Sequence, residues 1–328
     1  MAGSPRLKIA IGNYPFVDEL KSGAVPIDGV DAEFVNVVPQ IAAFRRMVRD
    51  VEFDVCELAP TTYIIARSFG APFVALPIFL MRRFHHAGLL VRPDAGIRKP
   101  KDLEGKTVGV RAYSVTTGVW TRGILIDEYG VDNSRITWVV DDEEHVTQMA
   151  LPANVIRAPE GTSLAQMMRD GELQAGFAAN AGIGREGKPT EGWDKVKQDN
   201  PDYPDLFPNA PELERAYFNR TGIYPIHGTI VVKDSVLAEH PHVARALFDA
   251  FSTAKRRWLA RVEAGEADTP ADRKTAGLRS IVGPDPLPHG MKWNMPTIKA
   301  LEDYAWKQGL ITRRMTVEET FVDPEKSQ

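Results

Sequence analysis

Residues 105–123 read Gly-Lys-Thr-Val-Gly-Val-Arg-Ala-Tyr-Ser-Val-Thr-Thr-Gly-Val-Trp-Thr-Arg-Gly. The short apolar, β-branched run 107–110 predicts a buried strand. Ser114, Thr116, Thr117 and Gly118 then supply N-cap chemistry for a helix. Trp120, Ile124, Leu125 and Tyr129 recur near helical spacing, and Gly130 stands as a stop. The free N–H groups of such a helix start favour an anion. Arg111 at the strand end and Arg122 inside the helix add positive charge. The stretch reads as a carboxylate-binding corner, although an ordinary βα junction with a capping threonine has the same pattern.

The same strand–turn–helix unit recurs outward from this point. Residues 7–11 predict a first strand, followed by the turn Gly12-Asn13-Tyr14-Pro15. Residues 32–38, 53–58, 72–79, 87–92, 135–140, 173–180 and 229–232 predict further strands. Helices are expected over 40–49, with Ile41, Phe44 and Val48 on one face, over 162–170, after His242 as far as Trp258, and over 294–308. Strands alternating with helices imply an α/β protein. Two turn-rich crossings, at 93–105 and 222–232, imply two lobes. The expected division is 1–93 with 226–328 against 94–225, with a ligand cleft between them. Ligands gather at the carboxyl ends of parallel strands. That singles out Tyr14, Glu57, Arg111 and Asn180, each near a strand end.

The chain has 328 residues, 43% of them hydrophobic, and a formal net charge of −4, so nothing drives it towards nucleic acid or a membrane surface. Its one cysteine, Cys56, cannot form an internal disulfide or a multi-cysteine metal site. No apolar segment of signal-peptide length precedes the first strand, and no apolar run reaches membrane-spanning length. A cytoplasmic protein is expected. No Walker A or dinucleotide fingerprint occurs. No organic cofactor is therefore expected, and a metal-free site is favoured, with a divalent ion on Glu57 and a histidine left open. The acidic run 141–144 reads as a solvated loop. Arg82, Arg83, His85 and His86 form the densest ionisable cluster, either a basic edge or part of a site. In a strand the two histidines would face opposite ways, so they are not expected to chelate a metal together.

Several blocks resemble 4,5-dihydroxyphthalate decarboxylases: Phe-Asp-Val-Cys-Glu-Leu at 53–58, Pro-Ile-Phe-Leu-Met-Arg-Arg-Phe-His-His at 77–86, the Arg-Ala-Tyr-Ser-Val-Thr-Thr-Gly-Val-Trp-Thr-Arg-Gly core of the stretch above, Asp-Pro-Leu-Pro-His-Gly-Met-Lys-Trp-Asn at 285–294, and Gln-Gly-Leu-Ile at 308–311. The resemblance implies a two-lobed fold like that of type 2 periplasmic binding proteins, with two crossings. It implies non-oxidative loss of CO2 from a hydroxylated aromatic dicarboxylate, namely 4,5-dihydroxyphthalate going to protocatechuate. Glu57, His86, Arg111, Tyr113, Thr116, Thr117, Trp120 and Arg122 match its motif positions. Two departures stand out: His85 replaces an arginine common in the family, and His227 lies two residues after Pro225, with Gly228 where the family's histidine is expected. The roles implied are His86 or His227 as proton donor, since only histidine titrates near neutrality without large perturbation, and Glu57 as acceptor from a ring hydroxyl. Arg111, Arg122, Thr116 and Thr117 would hold carboxylates. Tyr14, Tyr113 and Trp120 would pack the ring, and Arg83 and Asn180 are further substrate-binding candidates. The partner is then a small aromatic carboxylate, with self-assembly into a homo-oligomer left open. The same fold serves solute receptors. A solute-binding protein for an aromatic or other small organic anion, feeding a transporter, is the alternative.

Overall fold

The computed structural model describes residues 4–185 and 202–326. Part of the loop- and helix-rich stretch expected at 184–222 lies outside the described residues. In chain order the elements are β1 (Arg6–Ala10), α1 (Asp18–Lys21), β2 (Asp31–Phe34), α2 (Gln40–Asp50), β3 (Val55–Leu58), α3 (Pro60–Ser68), β4 (Phe73–Arg82), β5 (Leu89–Val91), β6 (Thr107–Gly109), α4 (Thr116–Tyr129), β7 (Thr137–Val140), β8 (Val155–Arg157), α5 (Leu164–Asp170) and β9 (Ala175–Phe177). There follow α6 (Ala210–Thr221), β10 (Ile226–Lys233), α7 (Asp234–Glu239), α8 (His242–Glu263), α9 (Pro270–Gly277), α10 (Arg279–Val282), α11 (Met291–Lys307) and α12 (Val317–Thr320).

The chain divides into two compact units. One comprises Met1–Arg83, Phe218–Lys299 and Met315–Gln328, the other Phe84–Tyr217 and Ala300–Arg314. These bounds differ from the expected 1–93, 94–225 and 226–328. β5 falls in the second unit because it pairs antiparallel with β9. Residues 300–314 fall there because Tyr304 packs edge-on against Trp120, and Gln308 binds Arg122.

The first unit holds a five-stranded sheet in the order β2-β1-β3-β10-β4. β1 runs parallel to β2 and β3, whereas β10 is antiparallel to β3 and β4. β4, Phe-Val-Ala-Leu-Pro-Ile-Phe-Leu-Met-Arg, is apolar almost throughout and buried along nearly its whole length, as a strand covered on both faces requires. Pro77 interrupts it where the register against β10 shifts, with Thr229 opposite Phe79 but Ile230 opposite Leu76. A residue without an N–H is tolerated at such a bulge. The core joins Ile9, Val55, Leu76, Ile78 and Ile230 to the inner face of α8, including Leu247, Phe251 and Trp258.

The second unit holds a sheet in the order β5-β9-β6-β7-β8, with β6 parallel to both β7 and β9. The edge strand β8 was not expected. Three residues, two of them exposed, carry too little pattern to read. α4 is buried from Thr116 through Leu125 and therefore shows no polar face until its last turn. Gly123 lets the helix pack closely on Tyr304, since a Cβ there would run into that ring. No helix among the described residues is long and apolar enough to cross a membrane.

Candidate functional site

In the first unit the strand ends converge on Glu57. β3 carries it, and continuing the β1–β3 register, in which Ala10 faces Cys56, brings the turn after β1 beside it. Glu57 is only 2% exposed. Its Oε2 accepts the Gly12 N–H at 2.9 Å, and its Oε1 accepts the Tyr14 hydroxyl. Burial raises its pKa, against the opposing pull of Tyr14, the Gly12 amide and the Lys21 charge. Burial and the neighbouring carboxylate push the Tyr14 phenol well above its ordinary range, so it stays a donor. On the other side lies Gly228 of β10, where a Cβ would stand 2.9 Å from Oε1. The glycine found where the family's histidine was expected thus makes room for this carboxylate.

At the end of β4, alternation sends two arginines different ways. Arg82 is buried, donates to the Tyr224 carbonyl at 2.6 Å and to Asn294, and lies over the Phe79 and Tyr224 rings. Burial lowers its pKa to about 9, still protonated at neutrality. Arg83 is half-buried, and its Nη2 meets His227 Nε2 at 3.1 Å. Arginine has only donors, so the imidazole nitrogen accepts. Burial and the adjacent guanidinium press the His227 pKa well below its usual value, favouring the neutral ring.

In the second unit the corner at 110–123 does bind carboxylates, and they are the chain's own. Arg111 Nη1 donates to Asp142 Oδ2 at 3.1 Å. Glu144 accepts from the Tyr113 N–H at 2.6 Å, the Ser114 N–H at 3.1 Å and the Ser114 hydroxyl. The N-cap is Val115, with no side-chain cap, and the Glu144 carboxylate takes two N–H groups of the turn just ahead of it. The acidic run expected in solvent is instead largely inside: Asp142 and Glu144 are buried, and Asp141 pairs with the fully buried Arg185. The reason is register. β6 and β7 are parallel with Gly109 facing Val139, so Arg111 and residues 141–142 leave adjacent strands at the same edge. Arg122 is fully buried, donates to Gln308 Oε1 at 2.7 Å and to the Tyr113 carbonyl, and lies 3.9 Å from the Tyr113 ring centroid. Tyr113 and Trp120 are core side chains with no exposure, and Thr116 and Thr117 are buried in the first turn of α4.

His86 lies in an aromatic setting, edge-on to Phe207 and Tyr217 with centroids 5.8 and 5.4 Å away. Burial lowers its pKa to about 4, against the pull of Glu128. His85 is also buried, and its carbonyl accepts from the Thr121 hydroxyl at 3.0 Å, so this segment is not a solvated basic edge. Asn180 is exposed on a short 3-10 turn. Among the described residues no group of three or more His, Cys, Asp or Glu side chains stands together as a metal site. Sequence reasoning missed Lys21, Gly228, Asp142, Glu144 and Arg185. The acidic pair carried a readable signal, because neighbouring parallel strands bring their following residues to one edge.

Two curated relatives share the pattern over long stretches. A protein of Comamonas testosteroni named 4,5-dihydroxyphthalate decarboxylase is 32% identical over 332 residues, covering 96% of each chain. One of the same name from Pseudomonas putida is 38% identical over 177 residues, covering 52% of this chain and 68% of its own. A family described as ABC transporter, phosphonate, periplasmic substrate-binding protein matches residues 9–158. The periplasmic aliphatic sulphonate binding protein SsuA of Escherichia coli superposes with a TM-score of 0.53 at 13% identity, covering 98% of this chain and 93% of its own. The fold is therefore that of periplasmic binding proteins.

Proposed function

The chain belongs to the 4,5-dihydroxyphthalate decarboxylase family, and from that premise we propose that it is a carbon–carbon lyase converting 4,5-dihydroxyphthalate to protocatechuate and CO2. Membership over nearly the full length is the observation that carries the reading. The Glu57 cluster supports it chemically.

Each carboxylate of this substrate lies para to a ring hydroxyl. Glu57 accepts the proton of that hydroxyl, and electron density moves through the ring to the carbon bearing the carboxylate. A histidine protonates that carbon. The bond to the carboxylate breaks, its electron pair restores the aromatic ring, and CO2 leaves. Glu57 returns its proton to the oxygen, so the net reaction consumes one proton, which must reach the histidine from solvent. We assign the donor to His227, with His86 as the second candidate. Both imidazoles are neutral by preference in the unliganded protein. A dianionic substrate beside the ring raises its pKa and loads the proton when it is needed. Arg83 is our candidate for the retained carboxylate, by charge-assisted hydrogen bonding. Tyr14 is our candidate for the edge of the ring. The proposed reaction needs neither a metal nor an organic cofactor. A cytoplasmic site of action goes with the same reading, and the single Cys56 is compatible with a reducing compartment.

The test is incubation with 4,5-dihydroxyphthalate while following CO2 and protocatechuate. In D2O one deuterium should enter the ring at the vacated carbon. Tight binding without CO2 would return the chain to the role of a ligand receptor, and absence of binding would point to a different acid. General acid help is worth about 10²–10⁴ in rate. Replacing the true donor by asparagine should cost that much with the fold intact.

A further inference from the structure

Lys21 closes the short α1 helix and turns back on the end of β1. Its Nζ donates to the Ile11 carbonyl at 3.1 Å, the Gly12 carbonyl at 2.9 Å and Asn13 Oδ1 at 2.6 Å. An ammonium has three donors, and all three are used within one turn. None remains for a ligand, so Lys21 is not a substrate anchor.

The Ile11 carbonyl and the Gly12 N–H belong to one peptide group. Lys21 sits at its oxygen end. At its nitrogen end the N–H donates to Glu57 Oε2 at 2.9 Å. One peptide dipole thus lies between an ammonium and a carboxylate, oriented favourably for both. Hydrogen bonds in such a chain polarise and strengthen one another. Two residues on, the same clamped turn carries the Tyr14 hydroxyl to the other oxygen of Glu57.

We infer that Lys21 is a positioning residue: acting through the Ile11–Gly12 peptide group, it holds Glu57 as an accepting carboxylate and keeps Tyr14 aimed at it. The catalytic meaning of this rests on Glu57 being the proton acceptor proposed above, whereas the coupling itself does not. The titratable groups bearing on Glu57 are Tyr14, Lys21 and the adjacent Cys56, and Asp18 bears on Lys21. β10 turns the uncharged Gly228 towards it. Removing Lys21 therefore leaves the burial of Glu57 opposed only by neutral donors.

The test compares the wild type with Lys21→Met and Lys21→Arg, checking the fold of each by circular dichroism. Without substrate, the Glu57 carboxyl carbon is titrated by NMR. In Lys21→Met its midpoint should rise by about one pH unit, the scale of a single opposite charge nearby. Lys21→Arg should restore most of that shift. In turnover, the acid limb of kcat should move up with the midpoint, giving about a tenfold loss on its acid side, with KM little changed. A folded Lys21→Met with an unmoved Glu57 midpoint overturns the inference, because a merely structural lysine would alter stability and not this titration. If the variant does not fold, the wild type decides: the Gly12 amide proton and the Lys21 side-chain nitrogen should both step at the Glu57 midpoint, and absence of either step overturns the coupling. The NMR titrations use no substrate, so a failure of the decarboxylase reading, which would remove only the turnover measurement, would not be confused with a failure of this one.

Discussion

Arg111 Nη1 donates to Asp142 Oδ2 at 3.1 Å, and both side chains are buried. A guanidinium at the mouth of a helix looks in sequence like a waiting anion site. Here a carboxylate two residues beyond the end of the neighbouring strand already occupies part of its donor set. Breaking a buried pair by removing one partner costs about 3–5 kcal/mol, because the other charge remains buried. Asp142→Asn should therefore destabilise the protein by about that much in urea unfolding. The double variant Arg111→Met/Asp142→Leu should recover most of it. Equal losses in the single and double variants would show that the pair does not act as a unit.

Arg122 and Arg83 should separate cleanly. Arg122→Met leaves the Gln308 and Tyr113 carbonyl oxygens short of a donor, and an unsatisfied buried group costs about 1–3 kcal/mol. Its effect should appear in the unfolding midpoint, with KM unchanged under conditions where the variant is folded. Arg83→Met should raise KM about tenfold or more, as expected for losing a charge-assisted bond, a change that Arg122→Met should not show. Steady-state kinetics beside thermal melts would read both.

Gly228→Ala places a methyl group 2.9 Å from Glu57 Oε1. The backbone there has an ordinary negative φ, so strain is not the issue. The carboxylate or the methyl must shift by a few tenths of an ångström. We expect kcat to fall by about tenfold or more, since small misplacements of a catalytic group are costly. The melting temperature should change little. A fully active Gly228→Ala would mean that the position of Glu57 is not critical to turnover.

His86, with its folded pKa lowered to about 4 by burial, gives a pH-dependent stability. Between about pH 6.5 and 4 the unfolded chain binds a proton at this residue and the folded chain does not. The contribution is fully present above pH 6.5 and is lost as pH falls towards 4. At 1.36 kcal/mol per unit the loss is on the order of 3 kcal/mol. His227 and His289 are shifted the same way, so the difference between variants is the measurement. His86→Phe, which keeps an aromatic ring against Phe207 and Tyr217, should lose less stability than the wild type over that range in parallel melts. Identical slopes would contradict the burial argument.

The sequence by itself determined the α/β class, the alternation of strands with helices, and the placement of Glu57 and Arg111 at strand ends. These follow from local causes: period-two and period-3.6 patterning of apolar residues, and the turn chemistry of Gly, Pro and Asn. Strand identity was legible for every strand but the three-residue β8, although most ends fell a residue or more away. Tertiary structure alone decided which charges are already paired. Arg111 meets Asp142, Glu144 stands before α4, and Lys21 and Gly228 flank Glu57 because strands distant in sequence lie in register. It also decided that His86 and His227 rest neutral. Protonation near neutrality depends on how far a ring is removed from water and which charge lies beside it, and neither is written in the spacing of residues along the chain.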